Sequence, residues 1–206
     1  MKFLVKKLNK FNGNICCSLE NEAGQYYVAE CNRYNGTIAY AMSANQVIDI
    51  CSENPDDYLI TYGTQDIYKY SSGTLNLYLS VGRTIDLIED GEAKEYYGFD
   101  KTTRTLFKFH IGFSLLWEIT IDSSGDQDDS KIQYRESDRT IIYNDSDRIT
   151  VVRDDITSAV VISSLDISGT GPLQVVSYNI DSPSVLRFKY RSVDGKELDQ
   201  SSSSST

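Results

Sequence analysis

Short runs in which apolar and polar residues alternate recur along the chain, separated by turn residues. They lie at 3–8, 14–19, 25–31, 37–42, 58–62, 66–70, 74–81 and 84–89, and again at 131–135, 139–143, 148–153, 173–180 and 185–191. In the run "TLNLYLSV", Leu75, Leu77, Leu79 and Val81 share one face and Asn76, Tyr78 and Ser80 the other, the period-2 signature of a strand. The connectors include Asn12-Gly13, Asn35-Gly36, Ser72-Gly73, Asp90-Gly91, Ser124-Gly125 and Asp194-Gly195. Asn-Gly and Asp-Gly favour the positive-φ turns that join antiparallel strands. Strands of this kind at roughly 8–12-residue spacing predict an all-β domain, an antiparallel barrel or a two-sheet sandwich. No internal repeat aligns along the chain, which argues against a propeller.

The longest alternation is "TLFKFHIGFSLLWEITID", residues 105–122. Every odd position from Phe107 to Ile121 is apolar, and the even positions, with His110 among them, are mostly polar. The pattern predicts a long central strand with Trp117 in the core and a bend or bulge at Gly112. A hairpin turn at Ile111-Gly112 is the rival. Two segments are candidate helices. Residues 43–53 place Val47, Ile48 and Cys51 on one side with Ser43 as N-cap, against a strand over 46–51. Residues 155–167 would align Ile156, Ala159, Val160, Ser163 and Ile167 at helical spacing behind an Asp154 or Asp155 cap, although their β-branched content favours a strand. The architecture thus has at most one or two helices. It forms a single β-rich domain over 1–198, followed by a disordered Ser-rich tail over 199–206.

Charge narrows the partners. The net charge of −10 repels phosphate, so nucleic acid is not expected. No stretch approaches ~18 consecutive apolar residues, and the start "MKFLVKKLNKF" lacks a signal-peptide core, which predicts a cytoplasmic protein without a transmembrane segment. The 15 tyrosines suit half-buried sheet positions, with the ring packed and the hydroxyl wet. Cys16, Cys17, Cys31 and Cys51 form no C-x-x-C pair and read as reduced, buried hydrophobes.

The chemistry-bearing patterns are thin. His110 is the only histidine, and Ser114 beside it lacks the G-x-S-x-G context of a nucleophile. "GTGPLQ" at 169–174 lacks the third glycine of a dinucleotide loop. Asp122, Asp126, Asp128 and Asp129 in the polar loop 122–130 share a calcium loop's composition but not its spacing, and read as a solvated loop. Lys2, Lys6, Lys7 and Lys10 form the densest basic cluster and read as a solvated strand face. The sequons Asn35-Gly36-Thr37 and Asn144-Asp145-Ser146 are turn-like. Neither catalytic, cofactor-binding nor metal-binding residues can be assigned, and no cofactor is implied.

Residues 1–168 resemble the tubby-like group, which includes LURP-one-related proteins and phospholipid scramblases. The resemblance rests on "KKLNKFNGNICCSLENEAGQYYVAECN", a basic strand, a second strand, a turn at Glu22-Ala23-Gly24 and a third strand, and on "RITVVRDDITSAVVISSLDI" as a last strand leading into an apolar helix. It implies a closed barrel around that helix, with Ile156, Ala159, Val160 and Ile167 in the barrel core. The expected role is a non-enzymatic binding or scaffold module, recognising a protein partner or a lipid headgroup. Two alternatives stand beside it: a carboxylate-dependent, glycosidase-like hydrolase and a structural or viral-type sandwich assembly protein. The pattern leaves the oligomeric state open.

Overall fold

The computed structural model describes residues 3–11, 14–32, 34–54, 57–92, 94–110, 114–122, 130–145, 148–166, 174–182, 185–191 and 197–203. Side chains are described within 14–166, except at 54 and 114. The strands are short and joined mostly by tight turns, and hydrogen bonding gathers them into successive sheets. The first sheet has the order β1-β2-β3-β4, from β1 (Phe3–Phe11), β2 (Asn14–Asn21), β3 (Tyr26–Asn32) and β4 (Ile38–Ser43). The second is β5 (Asp49–Asn54), β6 (Asp57–Thr61), β7 (Thr64–Ser71) and β8 (Thr74–Ile85), in that order. The third contains β9 (Leu87–Asp90), β10 (Glu95–Asp100), β11 (Thr105–His110) and β12 (Ser114–Thr120), in the order β12-β11-β10-β9. The fourth is β13 (Lys131–Arg135), β14 (Thr140–Asn144), β15 (Arg148–Asp154) and β16 (Ala159–Asp166). The fifth is β17 (Gln174–Ser182), β18 (Val185–Arg191) and β19 (Glu197–Ser203). Among the described residues the only helical element is the 3₁₀ turn Glu136–Asp138. The chain divides into two compact units, one holding 1–101 and 108–115, the other 102–107 and 116–206, so the division falls within β11 and β12.

Local chemistry explains the hairpins. Asn21 Oδ1 accepts the amide N–H of Ala23 and of Gln25, each at 2.9 Å, and folds β2 back onto β3. Ser72 and Gly73, at φ 48° and 84°, form the two-residue link between the paired Ser71 and Thr74, the positive-φ geometry that matches strand twist. At Gly91 the requirement is space. A Cβ there would lie 2.8 Å from the Glu95 carbonyl oxygen and 2.8 Å from the Tyr97 ring.

In the first unit a core forms where the first sheet packs on the second. Cys16 and Val28 meet Val47, Ile50, Tyr58, Ile60 and Tyr70, with Ala41 and Leu75 packed at the side. Each large side chain buried there contributes about 1.5–3 kcal/mol. Tyr70 also donates its hydroxyl to the Ala39 carbonyl at 2.8 Å. The other face of the second sheet meets β9, where the Ile88 amide donates to Asp49 Oδ2 at 3.0 Å. In the second unit Ile141, Tyr143, Ile149, Val151 and Val152 are fully or almost fully buried in the two inner strands of their sheet. Trp117, 6% exposed, donates its indole N–H to Asp154 Oδ1 at 2.9 Å.

Several expectations are corrected. Residues 43–53 form no helix: β4 ends at Ser43 and β5 starts at Asp49. No helix spans 155–167 either. Asp154 Oδ1 accepts the Ile156 amide at 2.8 Å and turns the chain, and Ala159–Asp166 returns as a strand paired with β15. The β-branched run decides this, because crowded χ1 rotamers fit a pleated strand better than a helix. Ile156 and Val160, placed in a barrel core by the resemblance, are 59% and 43% exposed, and Ile167 lies outside the described residues. The stretch 105–122 is two strands, β11 and β12, neighbours in one sheet, as the hairpin rival supposed; residues 111–113 lie outside the described residues. Its even face is not solvated throughout: Lys108 is fully buried. The run 84–89 splits between β8 and β9. The serine-rich stretch expected to be disordered carries β19 as far as Ser203, paired with β18 through main-chain bonds that need no apolar side chain. In 74–81 the predicted single face is broken. A register shift pairs Ile67 with Leu79 but Tyr68 with Leu77, and the extra residue, Tyr78, sends Leu77 to 59% exposure and Leu79 to 4%.

Candidate interaction surface

One face of the first sheet mixes apolar residues with buried polar ones, Ser18 and Glu30 among them, and meets the core; the other is uncharged and apolar, and its edge stands exposed among the described residues. The covered face carries Cys16, Val28 and Ala41 into the core described above. The pleat sends the alternate residues to the opposite side, in three cross-strand rows. Ile15 pairs with Cys31 and Cys31 with Ile38; Cys17 with Ala29 and Ala29 with Tyr40; Leu19 with Tyr27 and Tyr27 with Met42. These nine positions hold no charged residue. Exposure grades across them. Ala29 is buried, the other β2 and β3 members are half-buried, and Ile38, Tyr40 and Met42 on the edge strand β4 are 66%, 67% and 66% exposed. The Tyr40 ring stands edge-on to Tyr27, with centroids 6.3 Å apart. Tyr34, in the link before β4, is also exposed. Nine large hydrophobics are exposed among the described residues, and four of them fall within residues 34–42, so this is a patch rather than scatter. Strand and residue spacings give it a footprint of roughly 300 Å².

A second constellation, also in the first unit, is polar and largely closed. Glu53 on β5 accepts the Tyr96 hydroxyl at 2.6 Å and the Tyr78 hydroxyl at 3.2 Å through Oε1. Lys69 Nζ lies 2.8 Å from Glu53 Oε2 and 2.8 Å from Asp57 Oδ2. The Oε2 contact is off the direction of a hydrogen bond, so it is an ion pair held by charge. Burial would lower the Lys69 pKa, but Asp57 and Glu53 outweigh it and raise the value. Burial, then the charge of Glu53, pushes Asp90 up to about 6 against a hydrogen bond from the Gly91 backbone. Burial and the bond to Glu53 raise Tyr96. Both oxygens of Glu53 are thus occupied by the protein's own groups. Lys108, fully buried, is held by Glu95 at 2.5 Å beside the Tyr97 ring.

The other residues singled out in the sequence are not brought together. His110 is half-buried at the end of β11, and Ser114 opens β12, its side chain outside the described set. The four cysteines are free thiols. Cys16 and Cys51 are buried, and desolvation raises both thiols well above their ordinary value. Asp122 pairs with Arg148 at 2.9 Å, while Asp126, Asp128 and Asp129 lie outside the described residues. So do Lys2, the side chains of Lys6, Lys7 and Lys10, and residues 167–173 of the glycine-containing loop. Asn35 Oδ1 is taken by the Thr37 amide and hydroxyl, and Asn144 is buried in β14. Among the described residues no three His, Cys, Asp or Glu side chains gather to hold a metal ion, and no helix is long and apolar enough to cross a membrane.

Neither a protein-family model nor a curated protein sequence matches the chain. Solved structures do. A functionally unknown protein from Desulfotomaculum acetoxidans DSM 771 superposes with a TM-score of 0.64 at 9% identity, over 94% of this chain and 70% of that one. The C-terminal WD40 domain of Sif2 gives 0.59 at 9% identity, over 94% and 56%, and the WD40 β-propeller domain of Doa1 gives 0.57 at 10%, over 96% and 68%. The fold is β-propeller-like. This overturns the tubby-like resemblance and its closed barrel, and also the reading of missing repeats as evidence against a propeller. Propeller-like sheets repeat in backbone pairing, and pairing leaves little trace in side-chain identity. The chain spans 56% of the length of the Sif2 domain and 73% of that of KlHsv2 with loop 6CD replaced by a Gly-Ser linker, another structure it resembles.

Signals for the surface were present in the sequence. "TIAYAM" read as a strand, but alternation with alanine on the second face does not say which face is covered. The register does.

Proposed function

We propose that the chain is a non-enzymatic protein-interaction scaffold of propeller-like fold, acting in the cytoplasm, and that it docks a protein partner on the β2–β4 face. One observation carries the reading: an uncharged apolar face, edged by Ile38, Tyr40 and Met42 in the open, on a sheet whose opposite face is locked into a core. The largest apolar patch on a soluble monomer is of this size, about 300–600 Å², and is often a functional contact site. Aromatic residues and methionine are the types enriched in such contacts. The propeller-like structures it resembles include WD40 domains, and the four free thiols suit a reducing compartment. A lipid headgroup is not favoured, since the three rows offer no cation to a phosphate. The hydrolase alternative would draw on Glu53 and Asp90, but Glu53 is engaged on both oxygens by Tyr96, Tyr78 and Lys69.

A photo-crosslinking residue at position 40 tests the reading in cells, with one at exposed Glu22 as control. The expected result is a protein adduct specific to position 40 and abolished by Ile38→Glu. Lipid adducts, or labelling no different from the control, would overturn it.

A further inference from the structure

We propose that the occupant of the β2–β4 face is a second copy of this chain, paired face to face about a two-fold axis. The inference rests on reading that face as the interaction surface, and goes further by naming what covers it. Relief argues first. The middle cross-strand row combines two of the smallest residues with the largest: Cys17 and Ala29 lie beside Tyr40. The face is therefore a ridge along β4 next to a shallow trough confined to the middle row, at Ala29 and Cys17 between Tyr27 and Leu19 on one side and Cys31 and Ile15 on the other, with exposure falling from 67% at Tyr40 to 5% at Ala29. A two-fold rotation sets each ridge over the other copy's trough, the self-complementary geometry an isologous dimer needs. Two sheets of the same twist also stack face to face without distortion, about 10 Å apart.

Charge points the same way. Each copy carries −10, so two copies repel over most orientations. The nine positions of this face carry no charge, which makes it the face on which a like-charged partner is tolerated. A partner selected for opposite charge would seek the acidic surface instead. Area sets the class of contact. A footprint of roughly 300 Å² with protruding side chains buries about 1,000 Å² over both copies, the size of weak, transient contacts, so the pairing is a reversible one.

Sedimentation velocity on the full chain from about 5 µM to about 200 µM is the test, read together with mild peroxide oxidation. Met42 lies on the ridge, and Met1 is the only other methionine, so peptide mapping reads the face directly. The expected result is a reversible dimer that tightens between about 0.05 M and about 0.5 M NaCl as repulsion is screened. Met42 is then protected at high concentration, and Tyr40→Glu weakens association at least about tenfold while leaving the circular-dichroism melt of the whole chain unchanged. A dimer in which Met42 oxidises freely, or one that loosens with salt, overturns the proposal. So does a monomer at every concentration with Met42 freely oxidised, which leaves the interaction face itself standing. A monomer with Met42 protected overturns both readings.

Discussion

Removing the Asp154 carboxylate should cost the second unit about 3–5 kcal/mol. The side chain is 0% exposed and serves three donors: the Trp117 indole N–H at 2.9 Å, the Ile156 amide at 2.8 Å and Arg139 Nη2 at 2.7 Å. The three losses are unequal. Trp117 is 6% exposed, so its N–H would be stranded away from water, at about 1–3 kcal/mol. Arg139 keeps 31% exposure and can turn partly to solvent, and the Ile156 amide sits on an exposed turn, so each adds less. Asp154→Asn keeps the volume and one acceptor but cannot neutralise Arg139 or serve all three donors, and should cost about 2 kcal/mol.

The assay is built into the sequence. Trp117 is the only tryptophan, so its emission follows the second unit alone. With a urea slope of about 1–3 kcal/mol/M, Asp154→Ala should lower the midpoint of the fluorescence transition by at least about 1 M. The control is Arg153→Gln, which breaks an exposed pair with Asp155 and should leave the midpoint where it is. A loss below about 1 kcal/mol for Asp154→Ala would refute the reasoning, because the indole N–H would then have another partner.

Three further outcomes follow from single sites. Asp90 has a folded pKa of about 6 against 3.8, so the folded state holds the proton more tightly; stability falls as pH rises from about 4 to about 6, and the cost is complete above that. The full difference is worth about 3 kcal/mol, but the carboxyl is about half open to solvent and screening leaves roughly 1 kcal/mol. Asp90→Asn should therefore stabilise at pH 7.5 and not at pH 4, read by circular-dichroism melts; an equal gain at both values would sink the assignment. Gly91→Ala places a methyl 2.8 Å from the Glu95 carbonyl and the Tyr97 ring and should destabilise by about 1–3 kcal/mol in the same melts. Ile156 sits at φ 74°, where a β-branched residue is strained, and it is 59% exposed, so Ile156→Asn should raise the Trp117-monitored urea midpoint by about 1 kcal/mol equivalent; a loss would show that the isoleucine side chain has a packing role.

The strands were legible where alternation or a turn dipeptide marked them, and most of the runs before and after 105–122 fall on observed strands. What misled was the assumption that each strand has one wet face. The inner strands of these sheets do not. Tyr58–Thr61 of β6, Tyr96–Asp100 of β10, Thr105–Phe109 of β11 and Thr140–Asn144 of β14 are buried at every position. Such strands have covered faces on both sides, which is why "EYYGFD", with Gly98 inside it, shows no alternation and why Lys108, on the mostly polar even face, is buried. A sandwich has one core and predicts half-wet strands. Sheets that stack one on another predict inner strands apolar on both faces, flanked by amphipathic outer ones, and that contrast was present in "YLITY" and "TIIYN". The same logic makes the first sheet informative. Its residues Ile38, Tyr40 and Met42 belong to the pattern of a face meant to be covered, yet they stand open. Alternation alone could not reveal this, because "TIAYAM" shows alanine on one side and large apolar residues on the other, and the usual rule buries the larger set. Here the alanine side meets the core, where Ala41 packs and Tyr70 reaches the Ala39 carbonyl. The bulky side stands exposed, with Ile38, Tyr40 and Met42 at 66%, 67% and 66%.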